Sequence, residues 1–142
     1  MSQARPQTAK PSAFIGRYVF SRDHKVIGLQ YFFLALTAAL VGSAMSLLMR
    51  LRLAWPQGRW PLLERVFPGG FSDGLMKPEF YLSMVTMHGT IMIFMVLSVA
   101  PQSGFGNYFL PTQLGAREMV FPRLNMISFW LTLASFAVLM SA

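Results

Sequence analysis

Between Phe80 and Ala116 the sequence contains no Asp, Glu, Lys or Arg. Wound as one straight α-helix, that run would extend about 55 Å, longer than the hydrocarbon core of a bilayer. It would therefore have to overhang the membrane or break. His88, in Tyr81-Leu-Ser-Met-Val-Thr-Met-His88-Gly-Thr-Ile-Met-Ile-Phe94, is the one ionisable group in the run apart from tyrosine phenols. An imidazole in such surroundings costs free energy unless something binds it, so it reads as a functional site with a partner. A neutral histidine bonded to a neighbouring helix is the alternative.

Composition agrees with a membrane protein. The chain is 54% hydrophobic and 12% charged, against roughly 25% charged for ordinary soluble domains. The absence of cysteine excludes disulfides, thiolate metal sites and cysteine nucleophiles, leaving nitrogen, oxygen or thioether ligands for any metal. The net charge of +7 comes from basic residues at the ends of apolar runs, which suits lipid headgroups and not nucleic acid.

Residues 1–20 read as a cytoplasmic arm, polar and aperiodic as far as Ala13 and then interfacial. Ser21 or Asp23 is placed to cap a helix. Val26 to Met49 is uncharged and spans about 36 Å as a helix, one tilted crossing. Ala35, Ala38, Ala39, Gly42 and Ser46 give this first helix a smooth face for close approach by a neighbour. Residues 50–79 read as an exposed loop with room for a short amphipathic helix, carrying Trp55 and Trp60 as interface aromatics. Pro78 and Glu79 suit the start of a second helix, about 80–112. Bending is expected in it at Pro101, Gly104, Gly106 and Pro111. A third apolar run, about 122–142, reaches the end of the sequence, as in an N-terminal piece of something longer. Arg5, Lys10, Arg17, Arg22 and Lys25, with Arg117 and Arg123, outnumber Arg50, Arg52, Arg59, Arg65 and Lys77. The positive-inside rule thus puts the N-terminus in the cytoplasm.

Depth places candidate residues at two levels. His88 is about 12 Å below the outer surface, and Arg50 stands just above it. An arginine over a buried imidazole suits a large planar cofactor with anionic or carbonyl edges, or a guanidinium snorkelling to headgroups. Asn107 lies near the opposite face, close to Glu118, Arg123 and Asn125. Two amides and a carboxylate there suit a proton relay through water, or simply a capped turn with a surface ion pair.

These residues resemble subunit I of the haem-copper oxidases. The resemblance is carried by Phe20-Ser-Arg-Asp-His-Lys-Val-Ile-Gly28, Ser46-Leu-Leu-Met-Arg50, Thr86-Met-His-Gly-Thr-Ile-Met-Ile-Phe94, Gly104-Phe-Gly-Asn107 and Phe121-Pro-Arg-Leu-Asn125 with Ser128-Phe-Trp130, in order. It implies an all-α, polytopic membrane helix bundle, the first three transmembrane helices of a larger subunit of about twelve, since a helix satisfies its own backbone in lipid. It implies that His88 is an axial ligand of a low-spin haem, with haem a expected, and that Arg50 reaches the haem periphery. Glu118 takes the place of the acid at a proton-channel mouth, usually Asp, with Asn107 and Asn125 lining the path. The opposite axial histidine, the ligands of the high-spin haem and the copper histidines would lie beyond residue 142, so no catalytic centre is expected within this stretch.

The sequence also departs from the family pattern. Met126 replaces the second amide of an Asn-Asn pair. Arg52 replaces an acid that binds a cation in some members, so no cation is expected there. Residues 53–78 form a longer loop than usual, and Val99 takes the place of a mid-helix proline, with Pro101 displaced. Val41, Met45, Phe80 and Ser83 stand where quinol-oxidising members carry Arg, Asp, His and Gln, which favours cytochrome c as donor. The expected function is that of a terminal respiratory oxidase in a bacterial inner membrane. It passes electrons from cytochrome c through the low-spin haem to a haem-copper centre, reduces O2 to water and translocates protons, in company with other oxidase subunits. The alternatives are a quinol-oxidising or nitric-oxide-reducing member, or a small non-enzymatic assembly or structural subunit.

Overall fold

The computed structural model describes residues 16, 18–116 and 119–141; most of the expected arm, Arg117, Glu118 and Ala142 lie outside them. Three helices are long and apolar enough to cross a membrane. They are α1 (His24–Ala54), α3 (Pro78–Gln113) and α4 (Pro122–Ser141), with a six-residue helix α2 (Pro61–Val66) and a two-stranded hairpin, β1 (Phe71–Ser72) and β2 (Leu75–Met76), between α1 and α3. The fold is an all-α membrane bundle.

α1 starts at His24, where the Asp23 carboxylate accepts the Lys25 amide at 2.9 Å. Ser21 does not cap it; its hydroxyl accepts the Asp23 amide instead. At the outer end α1 runs on through Arg50 and Arg52 to Ala54, because arginine is a good helix former and its charge can stay in water there. The buried residues Ile27, Gly28, Tyr31, Leu34, Ala35, Ala38 and Gly42 form one stripe at helical spacing. Ile91, Met95 and Val99 of α3 and Phe129 and Phe136 of α4 complete the core. Of the expected smooth face, Ala35, Ala38 and Gly42 are buried, and Ala39 and Ser46 are half-buried.

α3 is continuous through the positions where bending is expected. It runs unbroken for 36 residues through Pro101 and Pro111, but from Ile91 to Phe105 it is wound as a π-helix. Hydroxyl bonds mark the change. Thr86 and Thr90 bond carbonyls four residues back, whereas Ser98 bonds Ile93, five back. Pro101, which lacks an amide hydrogen and would clash with the carbonyl four residues back in an α-helix, sits inside the wide stretch.

Two close approaches explain what the π winding accomplishes. The Gly42 carbonyl meets the His88 ring, and Gly28 lies against the Gly104 carbonyl and the Tyr108 amide. On α1 these points are about 21 Å apart, at 1.5 Å per residue. The facing stretch of α3, from His88 to between Gly104 and Tyr108, would measure about 24 to 30 Å as an α-helix. The π turns hold more residues each and rise less per residue, so both contacts are made at once.

The connection from α1 to α3 is not a wholly exposed loop. Asp73 and Gly74 have φ of 52° and 78°, both left-handed, as a two-residue type I′ hairpin turn requires. Phe71 pairs with Met76, and both are buried with Met84 over Leu48, Trp60 and Phe80. The Glu64 carboxylate of α2 accepts the Gly74 amide at 2.8 Å. The connection thus forms a cap on the outer ends of α1 and α3.

A Cβ at residue 28 would lie 3.1 Å from two backbone atoms of α3, which cannot move aside as a flexible side chain would. Gly28→Val in the full-length subunit is expected to cost about 1–3 kcal/mol by overpacking, read as a lower midpoint of thermal denaturation in detergent. An unchanged midpoint would contradict this helix register.

Candidate functional site

The outer part of the site is built on α3. His88 is half-buried, with Nδ1 2.9 Å from the Gly42 carbonyl oxygen. A carbonyl only accepts, so Nδ1 carries the proton and donates. Nε2 bonds no described residue, and in the neutral tautomer it holds the lone pair. That is the arrangement a metal-binding histidine needs, since the bond at one nitrogen fixes the tautomer and orientation for the other. The described residues contain no group of three His, Asp or Glu arranged to hold a metal ion by themselves. What this surface offers is a single imidazole nitrogen without a described partner.

Arg50 is exposed and lies about 12 Å beyond Gly42 along α1, turned about 80° around the axis from it. It has no hydrogen bond or ion pair with a described residue. Arg52, two residues on, donates to the Pro56 carbonyl, so a guanidinium stands at the position where the sequence comparison placed a cation-binding acid.

The inner part lies where α1, α3 and α4 converge. Asn107 is buried, and its amide nitrogen donates to the Ser103 carbonyl at 2.6 Å. The Asn125 amide nitrogen donates to Asn107 Oδ1 at 2.7 Å and to Met119 Sδ at 3.3 Å. Tyr31 and Ser128 share a hydroxyl–hydroxyl bond of 2.7 Å. All four of Tyr31, Asn107, Asn125 and Ser128 line one cavity of about 450 Å3. Water occupies about 30 Å3 per molecule in the liquid, so a file of several waters fits, and these polar groups supply its bonding partners.

Thus the structure brings Asn107 and Asn125 into direct contact and keeps His88 at the other end of α3. Glu118 lies outside the described residues. Arg123 is exposed. Met126 packs on the apolar core. Tyr31 and Ser128 were not singled out from the sequence. The available signal was spacing, since Ser128 lies three residues after Asn125 and therefore on the same helix face.

Residues 26–142 match the family described as Cytochrome C and Quinol oxidase polypeptide I. The chain belongs to that family. It is 43% identical over 132 residues to the alternative cytochrome c oxidase subunit 1 of Bradyrhizobium diazoefficiens, covering 93% of this chain and 20% of that protein. It is 38% identical over 137 residues to cytochrome c oxidase subunit 1 of Thermostichus vulcanus, covering 96% and 22%. To the subunit 1 of Cereibacter sphaeroides it is 36% identical over 133 residues, covering 85% and 24%. The chain therefore spans about a fifth of the length of the curated relatives it matches. It is part of a multi-pass membrane protein, a haem-copper oxidase subunit I, and the full subunit of this family carries haem and copper.

Asn125→Leu would leave Asn107 Oδ1 buried without its donor. An unsatisfied buried acceptor costs about 1–3 kcal/mol, so this substitution in the full-length subunit should lower thermal stability. A midpoint equal to that of the parent would show that the amide pair carries no such weight.

Proposed function

We propose that this chain is the N-terminal, haem-ligating part of the catalytic subunit of a proton-translocating terminal oxidase that takes electrons from cytochrome c. The observation that carries the reading is the bond from His88 Nδ1 to Gly42 O, which leaves a neutral Nε2 free in an uncharged membrane run. A low-spin haem held by His88 would supply reversible one-electron redox chemistry, the chemistry an O2-reducing oxidase needs. Haem a is the expected type.

The roles of this chain's residues follow from their chemistry. His88 supplies one axial nitrogen, and Gly42 keeps the ring in the ligating tautomer. Arg50, with a planar and permanently charged guanidinium, holds the negative or carbonyl groups at the haem edge. Glu118 collects protons from the cytoplasmic side and hands them to water in the inner cavity. Asn107 and Asn125 orient that water, and Tyr31 and Ser128 extend the polar lining toward the core. Hydroxyls and amides suit the task because each both donates and accepts, so a hydrogen-bonded file can be re-formed after a proton has passed. Apart from Tyr31 and Ser128, these assignments also follow the family resemblance.

The other parts of the reading rest on composition and on the relatives. Uncharged residues other than the quinol set at Val41, Met45, Phe80 and Ser83, and relatives named cytochrome c oxidases, support cytochrome c as donor. Bacterial relatives and the Lys/Arg balance support a bacterial inner membrane with a cytoplasmic N-terminus. Further oxidase subunits are the expected partners.

The deciding experiment uses the full-length oxidase. His88→Ala should abolish the low-spin haem band in the reduced-minus-oxidised spectrum while membrane insertion is unchanged. Persistence of that band would refute the ligand assignment. Glu118→Gln, which keeps the shape and removes the charge, should abolish proton pumping in vesicles and slow turnover; unaltered proton uptake would make Glu118 only a turn residue.

A further inference from the structure

The Gly42 carbonyl that holds His88 belongs to a residue whose missing side chain is also occupied. A Cβ built on Gly42 would lie 2.8 Å from Met92 Sδ, 3.4 Å from Met92 Cγ and 3.7 Å from His88 Nδ1. Met92 follows His88 by four residues, so the two side chains leave α3 from the same face. Its thioether therefore sits in the notch at Gly42, the same glycine whose carbonyl engages the imidazole.

One hydrogen bond does not settle the plane of a histidine ring. The torsion about its Cβ–Cγ bond has a broad, shallow profile, and a carbonyl oxygen accepts over a wide range of directions. A second contact is needed to set how close the Gly42 backbone comes to the ring, and Met92 makes it. Methionine is suited to that place because it is unbranched and polarisable, and can thread an irregular gap.

We propose that Met92, seated in the notch of Gly42, is a positioning residue for His88: it sets the approach of α1 to α3 and hence the orientation of the imidazole about its bond to the haem iron. The proposal rests on the reading of His88 as a haem ligand. Outer partners of this kind typically change metal affinity or activity by about 10–100-fold when removed.

The test uses the full-length oxidase with Gly42→Ala, Met92→Ala and the double substitution, read by the electron paramagnetic resonance g-values of the oxidised low-spin haem, which report imidazole orientation, and by turnover. Both single variants are expected to retain the low-spin haem with shifted g-values, and turnover should fall about tenfold, at the lower end of such effects. In the double variant the new methyl group occupies the notch the thioether has left, and the g-values should return toward those of the parent. A Met92→Ala enzyme with its haem bound and its g-values unchanged overturns the proposal. Should Gly42→Ala fail to assemble, Met92→Ala decides alone, because it opens space instead of creating a clash. A low-spin signal that survives His88→Ala would instead remove the ligand reading beneath it.

Discussion

The packing of α1 against α3 is what both parts of the site depend on. Toward the outer end Gly42 meets His88, and toward the inner end Gly28 meets Gly104 and Tyr108. The inner contact is backbone against backbone, and the outer one joins the Gly42 backbone to the His88 side chain. Two rigid contacts on facing helices demand equal lengths between them. The π winding of Ile91–Phe105 supplies that equality, and Pro101 gives it a local cause. The same adjustment fixes the rotational setting of everything beyond Phe105. Asn107 consequently points at Asn125 and the cavity, away from lipid.

The two ends of α3 thus serve different chemistry within one rigid element. The outer end offers a neutral nitrogen, with its tautomer fixed by a backbone carbonyl. The inner end offers uncharged groups that donate and accept. No carboxylate or basic side chain stands between them in the sequence of α3. A long apolar helix is well suited to this, because each polar group in it must find a partner. The partners found here are specific: Gly42 for His88, Asn107 for Asn125, Ser128 for Tyr31.

Much of this was legible before any coordinates. His88, Asn107 and Asn125 stand out because polar types are costly at membrane depth. Asp23 as a cap and Pro78 as a helix start follow from backbone chemistry alone. Ser128 was not legible in the same way, because a serine or threonine hydroxyl in an apolar helix commonly bonds back to its own backbone. Thr37, Thr86, Thr90 and Thr132 do so here, and nothing in sequence separates them from a hydroxyl that reaches another helix. The hairpin at Asp73-Gly74 had a readable turn signal, but strands of two residues have no periodicity to confirm it. Of the alternatives open for α3, overhang or a break, the helix stays continuous over Pro78–Gln113, because a proline can widen a helix as well as break it.

What the sequence determined by itself was the number of crossings, the family and the chemical types available at each depth. These depend on transfer free energies and backbone rules that act residue by residue. The tertiary structure decided the register of α1 on α3, the π winding and the union of Tyr31, Asn107, Asn125 and Ser128 in one cavity. The reason is that these helices are apolar on almost every face, with Leu36, Leu40, Phe94 and Leu97 exposed on the sides away from the core. Hydrophobicity therefore cannot say which face meets which. Shape does, and here it is set by two glycines, a histidine and a methionine that fit together only one way.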